Sequence, residues 1–287
     1  GLAASAGVTM GTTSSTPRAR AYLKVQDGCE HGCSYCIVPL VRGPERSKPI
    51  ADVVEEARGR LRKGFRELVV TGVRLGSYRD GDGAAHSSLA SLLRELSKLD
   101  GLTRIRLSSL DPPDLSAELV QTIASLPNVC NHVHLPLQSG DSEILAAMRR
   151  GYEADEFRAA VATLRQAIPE VALTTDVMVG FPGETEAQFE NTVEVCRECA
   201  FSRLHVFQYS KRPGTAAADR AEQVPEAVKH ARSARLRREG QDLSCAFARQ
   251  FVGRTVAVLT EQYDSETNEV GGLTEHYVRV RARASRC

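Results

Sequence analysis

No apolar run in the 287 residues approaches the roughly 18 that a membrane-spanning helix needs. A basic start followed by an apolar stretch is also missing, so a signal peptide is not expected. The first residues, GLAASAGVTMGTTSSTPRAR, are small and polar. They read as a linker or the remnant of a preceding domain, and Gly1 in place of an initiator Met points to a fragment or processed product. Charge of one sign is not in excess: the net charge is +1, so global charge does not announce a nucleic acid. No cysteine stands before Cys29. Without a secretory signal, the eight cysteines suit a reducing, cytoplasmic compartment better than a disulfide framework. What remains, 42% hydrophobic and 25% charged, is ordinary globular composition, long enough for one large domain and a small one.

Three cysteines are crowded together. Cys29, Cys33 and Cys36 stand as C-x3-C-x2-C in DGCEHGCSYCIVPLVRGPERSKP, directly after the apolar segment 21–25. At this spacing within one loop, ligation suits them better than bridging. Three close thiolates can hold a four-iron cluster by three of its irons, leaving the fourth open to bind a substrate. A structural zinc ion wants a closed set of four ligands, for which His31 is at hand, at a strained spacing. On spacing alone both metals stay open. A second pair, Cys196 and Cys199, lies in FENTVEVCRECAF, which reads as a helix. Residues three apart share a helix face, but no second pair lies nearby, and buried small apolar residues are expected there.

Along the chain, short runs rich in Val, Ile and Leu alternate with helical stretches. Strands are expected at 22–26, 67–71, 104–108, 132–135, 173–177 and 204–207. Helices are expected at 50–64, 88–100, 116–126, 142–148, 155–167, 186–200 and 226–250, the last opened by Pro225. Six successive β/α units imply an α/β fold with a parallel sheet and helices outside, which right-handed crossovers curl into an open barrel. After Phe251, residues 252–261 and 277–283 alternate like exposed strands around the turn-rich DSETNEVGG. The expected division is a linker over 1–20, a core domain over 21–250 and a small β segment over 251–287.

The stretch LKVQDGCEHGCSYCIVPLVRGPERSKP resembles the cluster loop of the radical S-adenosylmethionine (SAM) methylthiotransferases. Further matches follow in family order: TGVRLGSY at 71–78, RIRLSSLDP at 104–112, HLPLQSGD at 134–141, MRRGY at 148–152, DVMVGFPGET at 176–185 and FQYSKRPGTAAA at 207–218. The likeness is greatest to the branch that methylthiolates N6-threonylcarbamoyladenosine at tRNA position 37. Sister branches act on isopentenyladenosine in tRNA or on an aspartate of a ribosomal protein. The resemblance implies a partial (β/α)6 radical SAM barrel followed by the opening of a TRAM-like, RNA-binding β-barrel. It also implies a transferase that uses a [4Fe-4S] cluster and SAM, the tRNA anticodon loop as partner, and an electron donor such as flavodoxin or ferredoxin. Family members carry an amino-terminal domain whose three cysteines hold a second [4Fe-4S] cluster that takes part in sulfur supply. Since this sequence has no cysteine before Cys29, it is expected to bind the SAM cluster and cleave SAM but not to insert sulfur alone.

By the same resemblance, Cys29, Cys33 and Cys36 are the cluster ligands. Tyr35 packs near the SAM adenine, Thr71, Gly72 and Val73 meet its methionine end, and Ser108 and Ser109 offer it hydroxyls. Gln138 and Ser139 hydrogen-bond a polar ligand, and Asp176 lies near the reacting centre. Gly180 brings backbone toward the adenine. His134 reads as a satisfied core histidine. Arg149, Arg150, Lys211 and Arg212 are candidate contacts to RNA or to the SAM carboxylate. Local charge adds to this. Residues 211–254 hold ten Lys/Arg against five Asp/Glu, and the tail carries Arg279, Arg281, Arg283 and Arg286. Arg232, Arg235 and Arg238 recur every three residues on one helix face, which either tracks the tRNA backbone or is a solvated surface.

Overall fold

The computed structural model describes residues 19–81 and 87–284. The expected linker over 1–20 therefore lies outside the described residues except at its end, and there Arg20 already opens a strand. Cys287 and Arg286 also lie outside them. Six parallel strands follow: β1 (Arg20–Lys24), β2 (Glu67–Thr71), β3 (Arg104–Leu107), β4 (His132–His134), β5 (Ala172–Val179) and β6 (Arg203–Gln208). β1, β2 and β3 form one ladder, and β4, β5 and β6 another. The parallel bridge Ser109–His134 and the bond from Leu110 N to His134 O (2.9 Å) join the two. Spatial order equals chain order, and among the described residues β1 and β6 are edges. The fold is an open six-stranded parallel barrel of the α/β class.

The helices are α1 (Val38–Arg42), α2 (Ile50–Arg62), α3 (Leu89–Ser97), α4 (Ala117–Ser125), α5 (Ser142–Met148), α6 (Ala154–Ala167), α7 (Glu186–Glu198) and α8 (Glu226–Arg249). Their ends follow local chemistry. Ser88 accepts from Ser91 N and starts α3, which buries Leu89, Leu92, Leu93 and Leu96, the i, i+3, i+4, i+7 face of an amphipathic helix. Thr185 and Gln188 form a capping box that starts α7. α1, one turn long with Pro39 in its first turn, was not expected. Successive strand residues alternate between the helices and the lumen. On β1, Leu23 is fully buried under helices while Tyr22 is 67% exposed toward the lumen. The lumen face continues through Glu67, Arg104, Arg106, His132, His134, Thr174, Asp176 and His205.

A three-stranded antiparallel meander ends the described chain: β7 (Val258–Asp264), β8 (Glu269–Thr274) and β9 (Arg279–Arg283). Here the expectation needs correction. The glycines of DSETNEVGG belong to a strand, and the hairpin turn is confined to residues 265–268. A Cβ on Gly272 would stand 2.1 Å from Leu259 O, so this glycine serves close strand approach beside the irregular β7 register rather than a turn.

The meander is clamped to the amino-terminal ends of the barrel strands. Arg104 donates to the carbonyls of Leu273 (2.8 Å) and Ala257 (2.9 Å), and Arg106 to those of Glu275 (2.8 Å) and Thr274 (3.3 Å). Tyr277, in a left-handed conformation (φ 63°), pushes its ring into this end of the barrel. It stacks on His132 with ring centres 4.7 Å apart and lies 4.2 Å from the Arg106 guanidinium. Arg106 Nε also donates to fully buried Glu67 (2.8 Å). Removing one partner of such a pair strands a charge in the interior. Arg106→Ala is expected to lose about 3–5 kcal/mol of stability. Arg94→Ala, which breaks an exposed pair with Glu118, should lose less than about 1 kcal/mol. Urea unfolding midpoints of the two variants check the contrast.

Candidate active site

The three cysteines sit in the loop after β1, at the carboxyl ends of the strands. A two-residue antiparallel ladder, Gln26–Asp27 with Arg46–Ser47, closes the loop's neck. Gly28 is held at φ +76°, and a Cβ there would fall 1.9 Å from Pro44 O, so only glycine fits. Cys29 N donates to Gly43 O (3.2 Å). All three thiols are half-buried and unbridged. Each sulfur accepts a hydrogen bond: Cys29 from His31 N (3.4 Å), Cys33 from Arg150 Nη1 (3.3 Å) and Cys36 from Val38 N (3.4 Å). Donors aimed at sulfur favour the thiolate, the form that ligates iron. Burial pushes the Cys33 thiol up, and the Arg150 charge and hydrogen bond oppose it. Burial likewise raises Cys29, opposed by the His31 amide.

Among the described residues, one group of three His, Cys, Asp or Glu side chains has ligand atoms all within 4.8 Å of one another, and it is His134, Asp176 and His205. The three cysteine sulfurs do not form such a close-set group, and a multinuclear cluster does not require one. His31, the fourth ligand at hand for a zinc site, instead meets Arg150 O through Nε2 (3.1 Å).

The last turn of α5 and the segment after it are the dock for this loop. Ser34 N donates to Met148 O (3.0 Å), Ser34 Oγ to Ala147 O (2.8 Å), and Ala217 N to Ser34 O (2.8 Å). Arg150, buried to 6% exposure, reaches Cys33, pairs with Asp111, and donates to Tyr152 Oη (3.2 Å). Tyr152 in turn donates to Pro136 O (2.8 Å) at the end of β4. One guanidinium thus ties the cysteine loop to the loops after β3 and β4. The sequence reading placed Arg150 among RNA or carboxylate contacts, and burial overturns the RNA part. Its neighbour Arg149 is exposed in a left-handed conformation (φ 58°) that closes α5.

The remaining candidates divide into groups. Thr71 ends β2, with Gly72 and half-exposed Val73 behind it. A Cβ on Gly72 would meet Gln26 Oε1 at 2.8 Å, so this glycine admits Gln26, whose oxygen accepts from Arg74 N. Ser108 Oγ is buried without a hydrogen-bond partner, and Ser109 bridges to His134. Gln138 holds a left-handed conformation (φ 63°), with its amide bonded to Asp176 O (2.9 Å) and its carbonyl to Met178 N (2.8 Å). Arg212 and Lys211 are exposed.

Asp176 faces the lumen between two imidazoles, with His134 Nε2 and His205 Nδ1 each 3.3 Å from Oδ1. Burial pushes its carboxyl up, but hydrogen bonding and attraction from the two histidines outweigh this and hold it well below the usual carboxylate range. His134 Nδ1 is fixed by Thr174 Oγ1 (2.8 Å), so it is a lumen residue with an oriented ring rather than a plain core histidine. His205 was missed; the period-2 pattern of β6, which puts it opposite Asp176, was the signal available.

Other candidates are committed elsewhere. Ser139 is fully buried, with Oγ 3.3 Å from Thr192 Oγ1 of α7, and does not face the lumen. Gly180, at φ +73°, lies against Lys229, whose Cγ would be 2.1 Å from a Cβ, so the missing side chain makes room for α8. Tyr35 packs on the apolar cluster of Ile144, Met148, Phe181 and Tyr209 and anchors the cysteine loop. Arg232 is buried and paired with Glu184 (2.7 Å) and Glu186 (3.0 Å), and Arg235 pairs with Glu190. Arg232 and Arg235 are thus spent on α7 and its preceding loop, while Arg238 of the same series is exposed.

A sequence profile described as the Radical SAM superfamily matches residues 23–196. The chain belongs to the radical SAM superfamily. It is 40% identical over 263 residues, covering 91% of this chain and 60% of the relative, to the threonylcarbamoyladenosine tRNA methylthiotransferase MtaB of Thermotoga maritima. It is 42% identical over 252 residues, covering 87% of this chain and 52% of the relative, to the tRNA-2-methylthio-N(6)-dimethylallyladenosine synthase of Acetivibrio thermocellus. The chain therefore spans between half and two thirds of the length of these curated relatives. Among solved structures, the Escherichia coli coproporphyrinogen III oxidase HemN superposes with a TM-score of 0.53 at 17% identity, over 83% of this chain and 55% of that one. The Kitasatospora setae methyltransferase TsrM, with tryptophan and a SAM analogue bound, gives 0.59 at 18% identity, over 70% and 38%. At these identities the likeness is one of fold.

The cofactors of a radical SAM protein, a [4Fe-4S] cluster and SAM, fit what the site offers. The three spaced sulfurs with their N–H donors suit the cluster. The orphaned Ser108 hydroxyl at the lumen wall suits a polar ligand. Because Arg150 favours the Cys33 thiolate against burial, Arg150→Ala is expected to raise the Cys33 thiol further. Anaerobic iron loading should then need a higher pH, the midpoint moving upward relative to wild type, while Arg149→Ala leaves it in place. Following the iron–sulfur absorption band across a pH series checks both variants.

Proposed function

We propose that this chain is the radical SAM portion of a tRNA methylthiotransferase, adding a methylthio group to C2 of N6-threonylcarbamoyladenosine at position 37. The observation that carries the reading is a C-x3-C-x2-C cysteine trio at the mouth of a barrel, in a chain 40% identical over 263 residues to a relative of that name. When bound, the cluster and SAM supply one-electron cleavage of the sulfonium bond. The protein's own residues ligate, orient and exclude water. Cys29, Cys33 and Cys36 hold the cluster. Thr71, Gly72, Val73, Ser108, Ser109 and Gln138 form the rim along which SAM lies, with exposed Arg212 and Lys211 near the mouth. Asp176, fixed between His134 and His205, presents an acceptor into the lumen. The anticodon loop of tRNA is the macromolecular substrate, and a small electron-transfer protein such as flavodoxin or ferredoxin is the reductant.

The lumen wall favours the threonylcarbamoyl nucleoside over its dimethylallyl counterpart. His134, Asp176 and His205 form a polar patch suited to the N–H groups of a urea, whereas a dimethylallyl group wants apolar surface. The dimethylallyl reading is kept in play by the 42% identity to a synthase of that class.

Two measurements test this. Full-length protein, reconstituted anaerobically with iron and sulfide, should form 5′-deoxyadenosine from SAM, and Cys33→Ala should abolish both the cluster band and that product. Deletion of the gene should remove the methylthio group from threonylcarbamoyladenosine in cellular tRNA. Loss from isopentenyladenosine instead would overturn the assignment of substrate.

A further inference from the structure

A large groove lies away from the cysteine loop. It has a volume of about 610 Å3 and opens where the amino-terminal ends of β1, β5 and β6 meet α8 and the β8–β9 turn. Four arginines line it, Arg20, Arg203, Arg237 and Arg279, each from a different element, and no acidic residue does. Arg20 is occupied by Glu261 (2.7 Å) and Tyr277 Oη (3.0 Å). Arg237 is exposed and donates only a long bond to Val206 O (3.3 Å). Arg203 and Arg279 are exposed, and among the described residues neither has a carboxylate within 4.0 Å. A protein of net charge +1 with abundant surface ion pairs has left these guanidiniums uncompensated in one concave place.

A second feature lies in the groove wall. His276 is 5% exposed, and neither ring nitrogen has a hydrogen-bond partner. Orphaned buried nitrogens are costly, and a ligand oxygen or the water it brings would satisfy them. Burial also holds the ring's pKa below the ordinary histidine range, so near neutral pH it offers one donor and one acceptor. Between the arginines the floor is apolar, with Leu204, Phe247 and Leu273, which suits sugar faces better than a lone hydrated ion.

We propose that this groove binds the backbone phosphates of a single-stranded stretch of RNA, with Arg203 and Arg279 as the principal phosphate contacts and Arg237 and His276 supporting them. Arg20 and Thr174 line the groove and also face the lumen, so a strand lying there passes beside the open edge between β1 and β6. This deepens the proposed function and rests on it for the identity of the RNA. The arginines chosen from helix periodicity, Arg232 and Arg235, are spent on α7. Those that matter come from separate elements.

The test is the salt dependence of tRNA binding by the full-length protein, measured by fluorescence anisotropy. Arg203→Ala/Arg279→Ala is expected to weaken binding about tenfold near 0.1 M salt, and to flatten the slope of log K against log salt by about 1.4, two phosphates at about 0.7 each. Both residues are exposed, so the melting temperature and SAM cleavage without RNA should stay at wild-type values. Arg62→Ala, at an exposed pair on α2, should leave the slope unchanged. An unchanged slope in the double variant overturns the proposal, whatever nucleoside the enzyme modifies. Full displacement of tRNA by millimolar inorganic phosphate at constant ionic strength would also overturn it, in favour of a small-anion site. If the slope falls as expected but no methylthiolated tRNA forms, the groove stands and the proposed reaction fails.

Discussion

The Arg150 guanidinium is the contact on which the site depends. A loop of three cysteines cannot hold an inorganic cluster unless its backbone is fixed and its sulfurs are kept close to the thiolate state. The Cys33 sulfur is pushed toward the neutral thiol by burial, and the charge that opposes this comes from a residue 117 positions away in the chain. That residue is itself buried, which is tolerable because Asp111, Tyr152 and the sulfur share its hydrogen bonds. Its position follows from Tyr152 gripping Pro136 O and from the left-handed Arg149 that turns the chain out of α5. The loops after β1, β3 and β4 are therefore one mechanical unit, though each looks separate in the sequence.

The barrel's two ends are built by opposite logic. At the carboxyl end, glycines and short loops leave room and expose acceptors such as Asp176. At the amino end, Arg104, Arg106 and Tyr277 fill the space and lock the meander in place. The buried Glu67–Arg106 pair makes little sense as packing alone, since an apolar filling is often as stable. It does make sense as a lumen that must stay polar along its length while one end is closed.

How much of this was legible differs by element. α3 and α7 could be placed closely because caps and an apolar face coincide in a few residues. The order of six strands was legible because parallel crossovers restrict topology. β8 was not, because Gly271 and Gly272 carry a turn signal locally while serving close approach in the sheet. Ser139 was given a ligand role because it sits in a loop on the active rim, but the direction of a loop side chain depends on which helix crosses behind it. The charges on α8 misled for the same reason: periodicity shows that Arg232 and Arg235 share a face, and only the packing shows that the face is covered by Glu184, Glu186 and Glu190.

By itself the sequence determined the chemistry class, through the loop motif that surrounds Cys29, Cys33 and Cys36 and runs on to Pro49, and the architecture, through alternating apolar periods. Both are local properties, set by residues within a few positions of one another. Tertiary structure alone decided which charges act and which are consumed. Arg150 joined the cysteines, Arg232 left the surface, Asp176 gained two histidines, and Arg203 and Arg279 came to line one groove. Electrostatic energy depends on distance and burial, and neither can be counted along a chain that folds back on itself.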